Sequence, residues 1–197
     1  MFFKIENLIS LSIKFKHLIL FPLNKILLKK IGLFSDTHGH LEESIFEHFN
    51  QCDEIWHAGD FGNYKLVEAL KSGFEKKGQS PIIRGVYGNI DGYDIRSVFP
   101  LNNVFNCEKV KVMMQHIGGY PGRYAPGVKD LIIQHRPKIF ISGHSHILKI
   151  MYDEKLNCLH MNPGAAGKQG WHKVKTLIRF VIDEEDIRDC EVVEMPI

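Results

Sequence analysis

In Leu33-Phe34-Ser35-Asp36-Thr37-His38-Gly39, an apolar run that begins at Ile31 stops abruptly at a polar turn. The run is long enough for one buried strand, and the sequence after the turn becomes amphipathic. Strand, polar turn and helix is how an α/β sheet presents reactive groups, because turns at the carboxyl ends of strands open into the crevice where ligands bind. Asp36 and His38 lie two residues apart, so an extended turn points both side chains the same way. A carboxylate and an imidazole converging from one turn make half a metal site. The other half must come from elsewhere in the chain.

Downstream, the same pattern repeats. Leu41, Ile45 and Phe49 recur at four-residue spacing with Glu42, Glu43 and Glu47 on other faces, which predicts a helix over one side of a sheet. Glu54 to Ala58 reads as a second strand closed by Gly59-Asp60. A helical stretch from Tyr64 to Lys77 ends at Gly78. Pro81 to Tyr87 reads as a third strand ending at Gly88-Asn89. Three successive strand ends therefore carry a metal-capable residue: Asp36, Asp60 and Asn89. The pattern then turns β-rich. Val104-Phe105 and Val110 to Gln115 predict two antiparallel strands, the second ending at His116. Residues 118–127 hold too many glycines and prolines for a regular element. Val128 to His135 predicts a helix stopped by Pro137. Lys138 to Ser142 predicts a buried strand that runs into Gly143-His144-Ser145-His146. Two hairpins complete the chain, Ile147 to Met161 and Lys173 to Val193, with an Asn162-Pro163-Gly164 turn between them. Early βαβ units and a β-rich second half predict an α/β protein, a four-layer α/β/β/α sandwich of two mixed sheets flanked by helices.

The 197 residues, 44% hydrophobic, suffice for one sizeable core. Formal charge is +2, unevenly spread: residues 1–30 hold six lysines and one glutamate, and residues 31–197 hold 19 basic against 22 acidic residues. The mildly acidic remainder argues against a nucleic-acid partner held by bulk charge. Residues 1–29 are apolar but broken by charge, with no run long enough to span a bilayer and no small-residue cleavage site. They read as an N-terminal extension outside a domain of residues 30–197. Contact with a membrane surface or partner, and a place in the fold, are the alternatives. Cys52, Cys107, Cys158 and Cys190 are widely spaced and read as reduced thiols of a cytoplasmic protein.

The residues collected at strand ends are Asp36, His38, Asp60, Asn89, His116, His144 and His146. Seven N/O donors without cysteine suit two divalent first-row ions, Mn²⁺ before Fe²⁺, Zn²⁺ or Ni²⁺. Two ions about 3.5–4 Å apart can hold a hydroxide and clamp a phosphoryl oxygen. They need a bridging carboxylate, for which Asp60 is the candidate. One isolated histidine is more often a core or surface residue than a ligand; the ordered set carries the reading.

That order, Asp-x-His, Gly-Asp, Gly-Asn-x-Asp, His, Gly-His-x-His, resembles the calcineurin-like metallophosphoesterases. It is most similar to their small bacterial and archaeal phosphodiesterase branch, to which the retromer scaffold subunit is distantly related. The resemblance runs from about Ile31 to the C-terminus and includes the Asn-Pro-Gly turn. It implies the metallo-dependent phosphatase fold, with Asp36, His38 and His146 on one metal, Asn89, His116 and His144 on the other, and Asp60 bridging. It also implies hydrolysis of a small phosphoester, most naturally a phosphodiester, by the bridging hydroxide, with Asn89 contacting the phosphate. Many relatives have Gly-Asn-His where this chain has Gly88-Asn89-Ile90, and the histidine is the presumed acid for the leaving group. Asp91 then has no histidine to orient and reads as a support. His57, three residues before Asp60, is a candidate to orient a ligand. His40 flanks the metal turn and can reach phosphate or cap the helix. Arg123 and Tyr124, in the Gly/Pro loop, are candidates to hold substrate. The remaining histidines read as structural. A non-catalytic binding scaffold on the same fold is the alternative function, and self-association is compatible with either.

Overall fold

The computed structural model describes residues 28–197. Most of the expected extension, and the membrane contact assigned to it, falls in 1–27, outside the described residues. In chain order the first elements are β1 (Leu28–Phe34), α1 (Ser44–His48), β2 (Glu54–His57), α2 (Tyr64–Lys76), β3 (Ile82–Gly85) and α3 (Tyr93–Arg96). Next come β4 (Asn102–Cys107), β5 (Val110–Gln115), the short pair β6 (Gly119–Tyr120) and β7 (Arg123–Tyr124), and α4 (Val128–His135). The chain ends with β8 (Ile139–Ile141), β9 (Leu148–Asp153), β10 (Cys158–Pro163), β11 (Lys175–Asp183) and β12 (Asp186–Met195).

Two five-stranded sheets form, in the orders β12-β11-β1-β2-β3 and β4-β5-β8-β10-β9. Both are mixed: β1, β2 and β3 run parallel, as do β5, β8 and β10, while the hairpin partners run antiparallel. The period of two along each strand places residues on opposite faces. Ile31 and Leu33 of β1 meet Val112 and Met114 of β5, Ile139 and Ile141 of β8, and Ile178 and Phe180 of β11 in the core between the sheets. The alternate residues face outward. Phe34, Ile55 and Leu177 pack under α1 and α2 with Ile45, Phe49, Leu70 and Phe74, whereas Met113 and Phe140 pack under α4 with Val128 and Ile132. This is the expected α/β/β/α order of layers.

Several details depart from the sequence reading. The β1 ladder already pairs Leu28 with Asp183 and Lys29 with Ile182, so the sheet takes in two residues assigned to the extension. Helix α1 is little more than one turn, because Leu41-Glu42-Glu43 stay outside it. The breaker-rich loop holds a hairpin, with Gly119 paired to Tyr124 and Tyr120 to Arg123. Pro121-Gly122, with Gly122 at φ 86°, form its turn, the pairing that places proline first and a positive-φ glycine second. The breakers here end strands without abolishing them. Helix α3 had no strong periodic signal, since it is only four residues long.

Candidate metal centre

Five parallel strand ends from the two sheets open on one side of the molecule, and every predicted ligand follows one of them. Asp36 and His38 follow β1, Asp60 follows β2, Asn89 follows β3, His116 follows β5, and His144 and His146 follow β8. Hydrogen bonds continue the β1–β2 pairing past the strand ends: Asp36 N–H to Gly59 O (3.0 Å), His38 N–H to Asp60 O (3.0 Å) and Gly39 N–H to Phe61 O (2.7 Å). Gly143 N–H donates to His116 O (3.0 Å), continuing the β5–β8 pairing in the other sheet, and Gly167 N–H donates to Asp36 O (3.0 Å).

The turn is not extended, as the two-residue spacing suggested. Asp36 and His38 both have positive φ, 54° and 50°, as do Asp60 (57°), His144 (68°) and His146 (57°). Non-glycine residues rarely adopt this left-handed conformation, and where they gather it is usually to aim functional groups. Here it brings the side chains of Asp36, His38, Asp60 and His146 together.

Asp36, His38 and His146 have ligand atoms within 4.8 Å of one another, and so do Asp36, Asp60 and His116. Asp36 belongs to both groups. Asp60 Oδ2 lies 3.9 Å from His38 Nε2 and 3.3 Å from His116 Nε2, one nitrogen from each expected metal set. Asn89 Oδ1 is 3.2 Å from His116 Nε2. His144 joins neither group through its ring, which stands edge-on to His116 at 5.4 Å, but its N–H donates to Asp36 Oδ2 (3.1 Å).

These side chains fit divalent ions on their own chemistry. His116 Nδ1 is 2.8 Å from Ala58 O, which only accepts, so Nδ1 carries the proton and Nε2 turns a lone pair toward Asp60 and Asn89. His38 and His146 bring their Nε2 atoms to 3.3 Å. Lone pairs and carboxylates crowded together in this way call for positive charge among them. In the protein alone, protons supply part of it. Burial disfavours charge on His116, yet the hydrogen bond and charge of Asp60, with Asp36, raise its pKa above the usual value. The hydrogen bond to Asp36 raises His146 likewise. Burial dominates at His38 and lowers it. Burial pushes Asp60 up, but His116 and the Ile90 N–H outweigh it and hold the carboxyl below its ordinary value.

The glycines around the ligands are spacers. A Cβ on Gly88 would stand 2.0 Å from Asp60 Oδ1, and one on Gly143 2.8 Å from Asp36 Oδ2. Gly88→Ala is therefore expected to displace the Asp60 carboxylate and weaken metal binding by about 10-fold or more, in a titration by calorimetry, without loss of the circular dichroism of the fold.

The supporting candidates divide. His57 is fully buried and hydrogen-bonds to Thr37 and Gly59, not to a predicted ligand side chain. Its Nδ1 accepts from Gly59 N–H (3.2 Å), so Nε2 carries the proton and donates to Thr37 Oγ1 (2.9 Å). Thr37 Oγ1 in turn reaches Phe61 O (3.2 Å). His57 thus locks the Asp36–His38 turn to the Asp60 loop, and burial keeps it neutral. Asp91 accepts from Gly88 N–H and Gly62 N–H, both at 2.8 Å, joining the Asn89 and Asp60 loops. His40 turns its Nε2 to Glu42 (2.7 Å). Arg123 is exposed on the β6–β7 hairpin, and Tyr124 points away, to Asp153 (2.8 Å).

Three residues beside the centre carry no site role in the sequence reading: Asn162, read only as part of a turn, Arg96, and His172, read as structural. Asn162, buried, donates to Gly143 O (2.8 Å) and Ser145 Oγ (3.1 Å) and so holds the loop that carries His144 and His146. The Asn-Pro-Gly turn was its only signal. Arg96 donates to Asp91 O (2.7 Å) and Asn89 O (3.4 Å) and lines a cleft of about 340 Å³ with Tyr87, Asn89, Leu101, His116 and Ile117. His172 stacks edge-on against His146 at 5.5 Å and lines a second recess, beside His144 and His146. The larger cavity near Arg136 and Ile187, about 540 Å³, contains none of the predicted ligands.

Residues 30–185 match the calcineurin-like phosphoesterase superfamily domain, and the chain belongs to that family. A probable metallophosphoesterase of Methanothermobacter thermautotrophicus is 28% identical over 141 residues, covering 68% of this chain and 76% of that protein. Among solved structures, a predicted phosphoesterase of Streptococcus pneumoniae superposes with a TM-score of 0.60 at 19% identity, over 85% of this chain and 90% of that one. Vps29 of Entamoeba histolytica, solved with Zn²⁺, gives 0.58 at 15% identity, over 84% and 98%. These structures share the fold. Family membership makes phosphoester hydrolysis the class of activity. Among the described residues, no helix is long and apolar enough to cross a membrane.

Proposed function

We propose that this protein is a metal-dependent phosphodiesterase with a dinuclear centre. Asp36, His38 and His146 would hold one ion, Asn89, His116 and His144 the other, and Asp60 would join them. The observation that carries this is the position of Asp60 Oδ2 within 4 Å of a nitrogen from each set. Divalent ions, Mn²⁺ first, would supply Lewis acidity and a nucleophile from water at neutral pH. The chain's own residues do the rest. Asp36, His38, Asp60, His116 and His146 would hold the ions with little rearrangement, since their loops are tied together by backbone hydrogen bonds, and the His144 ring would turn inward to join them. Asn89 is exposed at the rim and can donate through its amide to a phosphoryl oxygen. A cleft beside Asn89 and His116 and a recess beside His144 and His146 leave room for two ester groups. A diester also brings less negative charge than a monoester to a site with two buried carboxylates.

Hydrolysis of phosphodiesters, phosphomonoesters and cyclic nucleotides by metal-reconstituted protein tests the reading. Diesters should be preferred, and activity should vanish on chelation. A monoester preference would overturn the diester assignment.

Leaving-group dependence is the next expected result. Ile90 is half exposed beside Asn89 and has no proton to give, while His40 is engaged with Glu42. A positioned acid typically contributes about 10²–10⁴-fold. Activated aryl diesters should therefore be cleaved much faster than alkyl ones, and Ile90→His should accelerate alkyl leaving groups most. Rates plotted against leaving-group pKa check this; a flat wild-type plot with chemistry rate-limiting would mean another residue supplies the proton.

A further inference from the structure

The loop that follows the Asn-Pro-Gly turn rises beside the proposed metal ligands and carries Trp171 at its crest. Trp171 is 101% exposed, in contrast to Trp56, which is fully buried. Large aromatic rings contribute most when covered, and one left wholly in water beside a reactive centre is free to cover something else. Ile147, 62% exposed, stands with it. Together with His144, His146, Gly170 and His172, these two residues line a recess of about 480 Å³, within the range of small-ligand sites.

The shape of this wall depends on Gly170. Its φ is +127°, and a Cβ there would stand 2.3 Å from His146 Nδ1 and 2.9 Å from His172 Nδ1. The loop backbone thus packs directly on the two imidazoles, and Trp171 is carried next to the ligand His146. His172 is anchored in turn, with Nε2 donating to Gly167 O (3.0 Å). No lysine, arginine or carboxylate lines the recess, so it offers no ion pair to a second phosphate or to an ammonium group. The cleft on the Asn89 side differs, because it includes Arg96.

We propose that Trp171 and Ile147 form a stacking subsite for a flat, uncharged aromatic substituent of the phosphodiester, an aryl ring or a nucleobase, whose phosphoryl group lies on the metal ligands. This rests on the phosphodiesterase reading and adds the class of substrate. His144 and His146 are both proposed ligands and recess walls, so a phosphoryl group on those ligands would border the ring-sized space. Aromatic stacking tolerates different rings because each has a π face.

The test compares ligands with and without an aromatic ring. Mn²⁺-loaded protein hydrolysing a 4-nitrophenyl phosphodiester is inhibited with methyl methylphosphonate, methyl phenylphosphonate and the methylphosphonate monoester of thymidine. In wild type the phenyl and thymidine compounds should have Ki values about 10-fold below methyl methylphosphonate. Trp171→Ala should remove that advantage while leaving the Ki of methyl methylphosphonate within about two-fold, and Trp171→Phe should keep most of it. Phenyl without thymidine recognition would assign the site to simple aryl esters, and the reverse to nucleosides. Equal Ki values for the methyl and aromatic compounds in wild type, or an advantage that survives Trp171→Ala, would overturn the subsite while hydrolysis itself still supports the phosphodiesterase. Binding gives a second readout, independent of turnover. Methyl phenylphosphonate should produce a saturable change in tryptophan fluorescence, methyl methylphosphonate should not, and Trp171→Phe should abolish the response because the remaining Trp56 is buried. If no diester is hydrolysed, the functional reading falls and this titration decides the subsite alone: an absent or non-saturable change overturns it.

Discussion

Asp60→Ala is expected to lose most of both bound metals and at least about 10³-fold in kcat. Asp60 Oδ2 lies 3.3 Å from His116 Nε2 and 3.9 Å from His38 Nε2, one nitrogen from each proposed metal set, so under the dinuclear proposal its removal would take an oxygen from each ion. It also removes the partner that raises His116 above its ordinary pKa. Asp60 Oδ1 accepts the Ile90 N–H (3.0 Å), so the loop that presents Asn89 loses an anchor as well. Elemental analysis after Mn²⁺ reconstitution is the measurement. Wild type should hold about two ions per chain, and the variant far fewer, with the fold retained by circular dichroism. One ion per chain in wild type, unchanged in Asp60→Ala, would sink the dinuclear proposal. Activity preserved in the variant would remove Asp60 from the chemistry altogether.

The ordered blocks made the seven candidate ligands and the layer order legible, because they depend on strand ends and on hydrophobic period. Ile31 and Leu33 alternate with outward-facing neighbours, and β5, β8 and β11 do the same; such patterns survive in one dimension. What was not legible depends on approach in three dimensions. The left-handed backbone at Asp36, His38, Asp60, His144 and His146 is imposed by hydrogen bonds between loops far apart in sequence, and no local propensity announces it. Gly88 reads as a turn glycine, although its space is taken by Asp60 from another strand. Asn162 looks like part of a turn, yet its amide holds the histidine loop. Helix α3 was missed because four residues carry no measurable period. The sequence pattern puts Glu42 on a non-apolar face of the first helix, and the structure departs from that reading.

Glu42 lies before α1, not on it, and its carboxylate accepts from the ammonium group of Lys175 and from His40 Nε2. Lys175 opens β11 and is only 1% exposed. A buried ammonium group needs a hydrogen-bonding partner, and among the described residues Glu42 is the one hydrogen-bonded to Lys175. Breaking such a pair from one side strands a charge in a poor solvent, at a cost of about 3 kcal/mol or more. Glu42→Ala is therefore expected to lower the Tm by about 6–12 °C. Adding Lys175→Met should recover most of the loss, because methionine fills the same space without charge; no recovery would mean that the carboxylate matters through His40 instead. The pH dependence gives an independent check. The hydrogen bond from Lys175, then that from His40, depress Glu42 from 4.5 to about 2. A depressed acid stabilises the folded state above its unfolded pKa, and that contribution disappears as pH falls through the folded one. The stability gap between wild type and Glu42→Ala should thus be full at neutral pH, shrink below about pH 4.5 and close toward pH 2. A gap that stays constant across that interval would show that the ion pair does not hold β11 against the loop before α1.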